Sequence, residues 1–325
     1  MEMVQLVFPE HAGAPGQIHG GRMMQWIVQA GTMAAGRVAR GTVVLGAMDD
    51  IDFLAPVRVG ELAILRAQVE YVGKSSLEVG VRVWAENVAT GRRVVTLNSH
   101  LVFVNVDETV RPRAVAERIT PSGSEETALW DAARVRREQR LARFAQRAGR
   151  GSAGEGHGDE DVRWRFESVR AVLPEDALFG TTMFSGKMLM DIDEAGGILS
   201  MRYCKGFVMT ACLDAMDFYS PIVTHEVVAF KAGLNHVGRS SLEVGVKVLA
   251  EKPWTGEVRH ACTAFLSFVH LEPAGGGFRP ASCPPFTPDT PAERRRWQEA
   301  LIRRGARLER VKRLRATLAQ EARAS

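Results

Sequence analysis

Residues 72–81 read VGKSSLEVGV, and residues 237–246 read VGRSSLEVGV, so nine of ten positions are identical at a spacing of 165 residues. The same spacing, without a gap, carries Asp52-Phe53 onto Asp217-Phe218. Self-similarity at one fixed spacing is the signature of repeated structural units. The chain of 325 residues is therefore predicted to contain two copies of one module.

Each copy reads as a long helix followed by strands. Residues 22–40 and 187–205 are free of proline, and the second segment has its apolar residues at helical spacing. Downstream, residues 63–71, 77–86 and 94–106 are rich in β-branched side chains and are separated by turns. Each module is therefore predicted to be an α+β unit in which antiparallel hairpins accompany one buried helix.

Two glycine positions indicate how the helix packs. Gly31 and the pair Gly196-Gly197 lie inside the predicted helices, where glycine costs about 1 kcal/mol relative to alanine. Close approach of another backbone would compensate for that cost. We therefore expect the sheet to wrap around the helix.

The positive charge is local. Residues 134–150 contain seven Arg and one Glu, and residues 293–325 contain eleven Lys or Arg and four Glu. Since the net charge is +4, the rest of the chain carries −9. Both basic stretches have apolar residues at helical spacing, so we interpret them as docked amphipathic helices with solvated basic faces rather than as a nucleic-acid footprint.

Composition excludes several classes of protein. Hydrophobic residues make up 46% and charged residues 25%, and no apolar run is long enough to span a bilayer. The first residues lack the pattern of a secretory signal, which favours a cytoplasmic location. The spacing of the cysteines fits neither a metal motif nor a disulfide framework. They are Cys204, Cys212, Cys262 and Cys283.

These patterns predict the boundaries of the parts. The first module is expected in residues 1–110 and the second in residues 173–272. Residues 111–172 are expected to hold a trailing basic helix and a flexible linker, whose glycine-rich part is residues 149–161. Residues 273–325 are expected to hold the second trailing basic helix.

Several motifs together resemble the acyl-CoA thioesterases of double-hotdog fold. They are the segment GQIHGG at residues 16–21 with its following helix, the strand start Asp52-Phe53-x-x-Pro56, the turn GKSSLEV at residues 73–79, and the trailing helices with Thr-Pro, Trp and Arg-Arg. The resemblance covers nearly the whole chain. It implies two tandem hotdog modules side by side, with sheets joined edge to edge and helices facing each other across a pseudo-twofold axis.

The resemblance also implies an activity: hydrolysis of acyl-CoA thioesters to a free carboxylic acid and CoA, a reaction of fatty acid and lipid metabolism. It implies no metal and no cofactor other than the CoA of the substrate. Homo-oligomers are typical of such proteins, and a trimer of double-hotdog chains is the expected form. The acyl chain is expected to lie between the modules, along Met23, Trp26 and Met190.

Thioester hydrolysis needs a general base for water and donors aimed at the developing oxyanion. The Gly20-Gly21 pair opens a helix, where free N–H groups point outwards, so backbone groups near Gly21 are the expected donors. In the resembled family a helix carboxylate and a polar residue just before the glycines position the water. Those two positions are Gln17 and Val28 in the first copy, and Thr182 and Asp193 in the second.

Neither copy has both polar groups. The resemblance, however, implies that each active site is formed by residues of both modules. Gln17, His19 and Gly20-Gly21 would combine with Asp193 into one site, whereas Thr182 and Val28 would form a silent one. Asp193 could instead be a solvated aspartate at the border of the apolar face. His19 could equally contact substrate or cap the helix. Gln17 has one methylene more than the usual Asn or Asp, which leaves its role open.

The repeated turns are candidates for binding CoA. A P-loop is excluded because Gln68 stands where its first glycine is required. A cation beside two hydroxyl groups suits the phosphates of CoA, and the sequence leaves open which copy serves the site. The candidates are Gly73, Lys74, Ser75 and Ser76 in the first copy, and Gly238, Arg239, Ser240 and Ser241 in the second.

Two other functions are possible for this fold. A non-catalytic acyl-CoA-binding or regulatory protein is favoured if Gln17 fails to support activation of water. An enoyl-CoA hydratase would need an Asp and His pair on a hydratase loop, and the sequence has no such segment.

Overall fold

The computed structural model describes residues 1–13, 16–150, 161–275 and 277–324. Most of the expected linker, residues 151–160, lies outside the described residues. Among the described residues, no helix is both long and apolar enough to cross a membrane.

The described residues of the first half of the chain form two α-helices and six strands. In chain order they are β1 (Glu2–Leu6), α1 (Gly20–Ala39), β2 (Thr42–Met48), β3 (Ile51–Asp52), β4 (Leu62–Val72), β5 (Ser76–Glu86), β6 (Arg93–Val106) and α2 (Gly123–Arg150). The expected helix and the three expected strands are all present, with ends that differ from the sequence prediction by one or two residues.

The second half repeats this order with additional short strands. The elements are β7 (Arg165–Ala171), β8 (Ala177–Phe179), β9 (Thr182–Met183), α3 (Ser185–Cys204), β10 (Phe207–Leu213), β11 (Met216–Asp217), β12 (Val227–Val237), β13 (Ser241–Lys252), β14 (Glu257–Ala274), β15 (Gly277–Pro280) and α4 (Pro291–Ala324). Because β7 pairs along its length with β12, the second sheet begins at Arg165, ahead of the boundary expected at residue 173.

Two antiparallel sheets each wrap around one helix. The first sheet has the order β1-β4-β5-β6-β2-β11, and the second has the order β3-β10-β14-β13-β12-β7, with β15 paired to β14. Helix α1 packs against the strands of the first sheet and α3 against those of the second. This is the tandem hotdog fold that the sequence predicts.

The two modules exchange short strands. Strand β11 of the second module pairs with β2, and β3 of the first module pairs with β10. Helices α1 and α3 also contact each other: a Cβ at Gly21 would lie 2.9 Å from the Cα of Met190, and a Cβ at Gly186 would lie 3.2 Å from the Cα of Gln25. These two crossings are related by the repeat spacing, so the helices do face each other across a pseudo-twofold axis.

The glycines inside the helices accommodate aromatic rings of the sheets. A Cβ at Gly31 would lie 2.9 Å from the ring of Phe103, and a Cβ at Gly196 would lie 3.0 Å from the ring of Phe268. The expectation of close approach was therefore right, but the approaching group is a side chain and not another backbone. Each sheet thereby packs tightly on its helix.

The basic helices dock differently from the sequence interpretation. Arg136 of α2 binds Glu70 and Glu78 at 2.6 Å each, and Arg307 of α4 binds Glu243 at 2.7 Å. Glu78 and Glu243 occupy equivalent positions in the repeated stretch, and both are buried. The prediction of solvated basic faces is therefore wrong for these arginines, since they neutralise buried carboxylates on the outer faces of the sheets.

Candidate functional site

The carboxylate of Asp193 lies at the interface between the two modules. Its side chain is 1% exposed. Oδ2 accepts a hydrogen bond of 2.7 Å from the N–H of Gly21, and Oδ1 accepts one of 2.8 Å from the hydroxyl of Thr210. The prediction of a solvated aspartate is wrong, because donors from α1 of one module and β10 of the other hold a buried carboxylate.

The glycine pair allows this close approach. A Cβ at Gly20 would lie 2.5 Å from Oγ1 and 2.6 Å from Cβ of Thr210. A Cβ at Gly21 would lie 3.0 Å from Cβ of Asp193. A side chain at either position would force these groups apart, so the glycine pair lets the start of α1 reach Asp193 and Thr210. The positive end of the helix dipole then favours the ionised carboxylate.

His19 caps α1 and lies beside the carboxylate. Its Nδ1 accepts from the N–H of Gly21 at 3.2 Å and lies 3.3 Å from Oδ2 of Asp193. Its side chain is 29% exposed, unlike the buried Asp193. The capping role left open by the sequence is therefore present, and the ring lies where it can also meet a ligand.

Opposing effects act on the pKa of Asp193. Burial raises this pKa, and His19, when it is protonated, opposes the rise together with the donors from Thr210 and Gly21. The net direction is upward. A carboxylate with a raised pKa is a stronger base when ionised.

The side chain of Gln17 makes no hydrogen bond to Asp193 among the described residues. Its backbone forms a bridge with Arg58, and its carbonyl accepts from the N–H of Gly13. Its Oε1 is buried and has no partner among the described residues. The expected role of Gln17, which is to position the water together with Asp193, therefore stays a prediction.

The hydroxyl of Thr210 is the side-chain donor to Asp193. Thr210 lies in β10, and sequence reasoning missed it. A signal was available in the repeat, because the equivalent residue of the first copy is Leu45. The same change from apolar to polar occurs between Val28 and Asp193. Two coordinated differences of this kind mark one region of the fold as chemically distinct.

The pseudo-equivalent region is lined largely by apolar side chains. A cavity of about 20 Å³ lies there, between Val28 and Leu45 of the first module and Thr182 and Ser185 of the second. Val28 stands where Asp193 would be, Leu45 replaces Thr210, and Ser185 replaces Gly20. This region has neither a carboxylate nor a glycine pair.

The two candidate turns belong to different sheets. The first connects β4 to β5 and the second connects β12 to β13. Across the second sheet, Thr210 is opposite Phe268, which is opposite Leu242. The turn of residues 238–241 therefore ends about 10 Å from Thr210, by two strand spacings. The turn of residues 73–76 stands in the same relation to Leu45, and Lys74 and Arg239 are both exposed.

Comparisons with known proteins found several similar chains. The cytosolic acyl coenzyme A thioester hydrolase of Mus musculus is 26% identical over 314 residues, which are 91% of this chain and 80% of the relative. Protein VdlD of Helicobacter pylori is 34% identical over 136 residues, 42% of this chain and 76% of the relative. The solved acyl-CoA hydrolase of Bacillus cereus is 30% identical, with a TM-score of 0.44, and the match covers 48% of this chain and 93% of that one.

A family model described as thioesterase superfamily matches residues 15–92 and again residues 180–256. Each match contains one of the two helices around which the sheets wrap, α1 or α3, and one of the repeated turns. Both copies therefore carry the same family signature, and the chain belongs to the thioesterase superfamily.

Proposed function

We propose that this protein hydrolyses acyl-CoA thioesters to a free carboxylic acid and CoA at one composite site between its modules. One observation carries the proposal: Oδ2 of the buried Asp193, on α3, lies 2.7 Å from the N–H of Gly21, at the start of α1. A base and a helix N-terminus from different modules are thus in contact. The names of the thioester hydrolase relatives support the same substrate class.

The proposed base is Asp193. It takes a proton from a water molecule, whose oxygen attacks the thioester carbonyl. The tetrahedral intermediate then collapses, the C–S bond breaks, and the CoA thiolate leaves and is protonated. Thr210 holds the carboxylate in place, and the upward shift in the pKa of Asp193 strengthens it as a base.

The proposed oxyanion donors are backbone groups beside Gly21. The N–H of Gly21 is hydrogen-bonded to Asp193, whereas the N–H groups of Gly20 and Arg22 have no partner among the described residues. Free donors at the positive end of a helix stabilise developing negative charge. Met190 lies against Gly21, so the expected path of the acyl chain along Met23, Trp26 and Met190 begins at the site.

Arg239 is the proposed contact for the CoA phosphates. Its turn lies in the same sheet as Thr210, whereas the turn of Lys74 lies in the sheet with Leu45. Arg239→Ala should raise KM for acyl-CoA without raising it for the matching acyl-pantetheine, which lacks the nucleotide. Lys74→Ala is the matched control and should leave both KM values unchanged. Equal effects of the two variants would contradict this assignment.

The activity itself is tested by following thiol release from a panel of acyl-CoAs of increasing chain length. Turnover of at least one chain length is expected from the wild type. Acyl-CoA binding without turnover at any chain length would instead support the alternative, a binding or regulatory protein. That alternative is favoured if Gln17 fails to support activation of water.

Assembly and location follow as parts of the same proposal. Strands β1 and β7 are the end strands of the two sheets and expose Val4 and Val169, which suits association of chains along these edges. We propose a trimer of double-hotdog chains, to be tested by light scattering. The cytosolic naming of the mammalian relatives supports the expected cytoplasmic location.

A further inference from the structure

Three side chains with metal-ligating atoms meet at the C-terminal end of α3. Cys204 is the last residue of α3, His270 lies in β14, and Cys283 lies between β15 and α4. One ligand atom from each lies within 4.8 Å of the other two. Their sequence separations of 66 and 13 residues match no metal motif. Only the fold brings them together.

The separation of the two sulfur atoms suits tetrahedral coordination. Two thiolates bound to a zinc ion at about 2.3 Å each, at the tetrahedral angle, lie about 3.8 Å apart. Sγ of Cys204 lies 4.0 Å from Sγ of Cys283. An adjustment of about 0.2 Å would therefore place both sulfurs at the distance that zinc requires.

One ring nitrogen of His270 is engaged by a backbone carbonyl, and the other is left to act as a ligand. Its Nδ1 lies 2.9 Å from the carbonyl oxygen of Ser282. Since a carbonyl can only accept, Nδ1 carries the proton and Nε2 presents a lone pair. Metal-binding histidines commonly donate their second N–H to a backbone carbonyl in this way. Gly206 leaves room for the ring, because a Cβ there would lie 2.6 Å from Nε2.

The first module shows that packing does not require these side chains. Ala39 and Asn105 are the equivalents of Cys204 and His270 at the repeat spacing. Val115 is the equivalent of Cys283, because its N–H donates to the carbonyl of Lys74 as that of Cys283 donates to Arg239. Asn105 donates to the carbonyl of Ala114 much as His270 donates to that of Ser282. The same backbone thus folds around Ala, Asn and Val, and ligating groups occupy all three positions in the second module alone.

We propose that Cys204, His270 and Cys283 bind one Zn²⁺ ion, with water as the fourth ligand. Thiolate and neutral imidazole are ligands that zinc prefers, and no fourth protein ligand joins the group among the described residues. Binding releases the two thiol protons to solvent and changes no oxidation state. His270 and Cys283 are only partly buried, which gives the ion an access path.

The ion would hold several elements together. The N–H groups of His270 and Cys283 donate to the carbonyls of Ser240 and Arg239. Zinc would therefore join the end of α3, β14 and the segment leading to α4 beside the turn of residues 238–241. This role is independent of hydrolysis and does not depend on the proposed function.

The test uses the reduced, metal-free full chain. Zinc is added in competition with a chromophoric chelator, and cobalt(II) serves as a spectroscopic probe. We expect one zinc per chain and a cobalt spectrum with tetrahedral and thiolate-to-cobalt bands. Cys283→Ser and His270→Ala should each weaken binding at least about tenfold. Cys262→Ala and His260→Ala are the matched controls and should bind zinc as the wild type does.

Circular dichroism of each variant separates loss of the site from loss of the fold. Absence of stoichiometric zinc binding by the folded wild type would overturn the proposal. Binding that persists unchanged in folded Cys283→Ser and His270→Ala would overturn it as well. Formation of a Cys204–Cys283 disulfide in air, by a protein that binds no zinc when reduced, would have the same consequence.

Discussion

Replacement of Gly20 by alanine tests the geometry of the site in a single step. The added Cβ would lie 2.6 Å from Cβ of Thr210 and 3.1 Å from Oδ2 of Asp193. Ordinary contacts begin at 3.4 Å, so Thr210 and the start of α1 must separate by about 0.8 Å. A shift of that size loosens the contact between the helix N-terminus and the carboxylate.

The expected magnitude follows from this displacement. Misplacing catalytic groups by about 1 Å costs on the order of 10²-fold in rate, so kcat should fall by about that factor. Overpacking of a tight contact costs about 1–3 kcal/mol of stability, which a chain of this size should survive. The variant is therefore expected to be folded and nearly inactive.

The assay compares steady-state release of CoA with urea denaturation for each protein. Gly36→Ala in the same helix is the matched control, because its Cβ would approach nothing closer than 3.8 Å. That variant should keep full activity and gain up to about 1 kcal/mol from the helix propensity of alanine. A Gly20→Ala protein with turnover within about threefold of the wild type would refute the close-approach argument.

Other expected outcomes concern the carboxylate, the silent region and the basic helices. Thr210→Val removes a donor that lowers the pKa of Asp193, so the acid limb of the pH profile of kcat should move to higher pH; an unmoved limb would contradict this role. Val28→Ala should leave turnover within a few-fold of the wild type, and a severe loss would mean that the second region is active. Arg307→Ala removes one of the two arginines that bind the buried Glu243, which keeps Arg303, and should cost about 1–3 kcal/mol in urea denaturation, whereas exposed Arg313→Ala should stay within about 0.5 kcal/mol. Equal costs for the two would refute the buried ion pairs.

Much of the architecture could be predicted because the repeat is readable from local sequence. The helix periods and the β-branched runs placed α1 and α3 and the strands β4 to β6. The resemblance pointed to Gly20-Gly21 and Asp193, and the structure brings these residues into contact. The two-residue strands β3 and β11 were not predicted, because their pairing is set by contact between the modules and not by propensity.

Side-chain partners were harder to predict than elements. Thr210 donates to Asp193 on α3, and the side of a strand that faces a helix depends on register, which the sequence alone does not show. The basic helices present the same difficulty. A run of Arg at helical spacing looks solvated, and the buried partner Glu243 lies 64 residues before Arg307. Ion pairs between residues so far apart in the sequence cannot be predicted from local sequence patterns.

The central claim is that Asp193 is the base of a single composite site, and Asp193→Asn tests it most directly. The variant keeps the size of the side chain, and an acyl-CoA titration alongside thiol release separates binding from turnover. We expect kcat to fall by about 10²–10⁴-fold, the range of general base catalysis, while acyl-CoA affinity stays within a few-fold. Turnover near that of the wild type, or a loss of activity matched by an equal loss of binding, would contradict the claim.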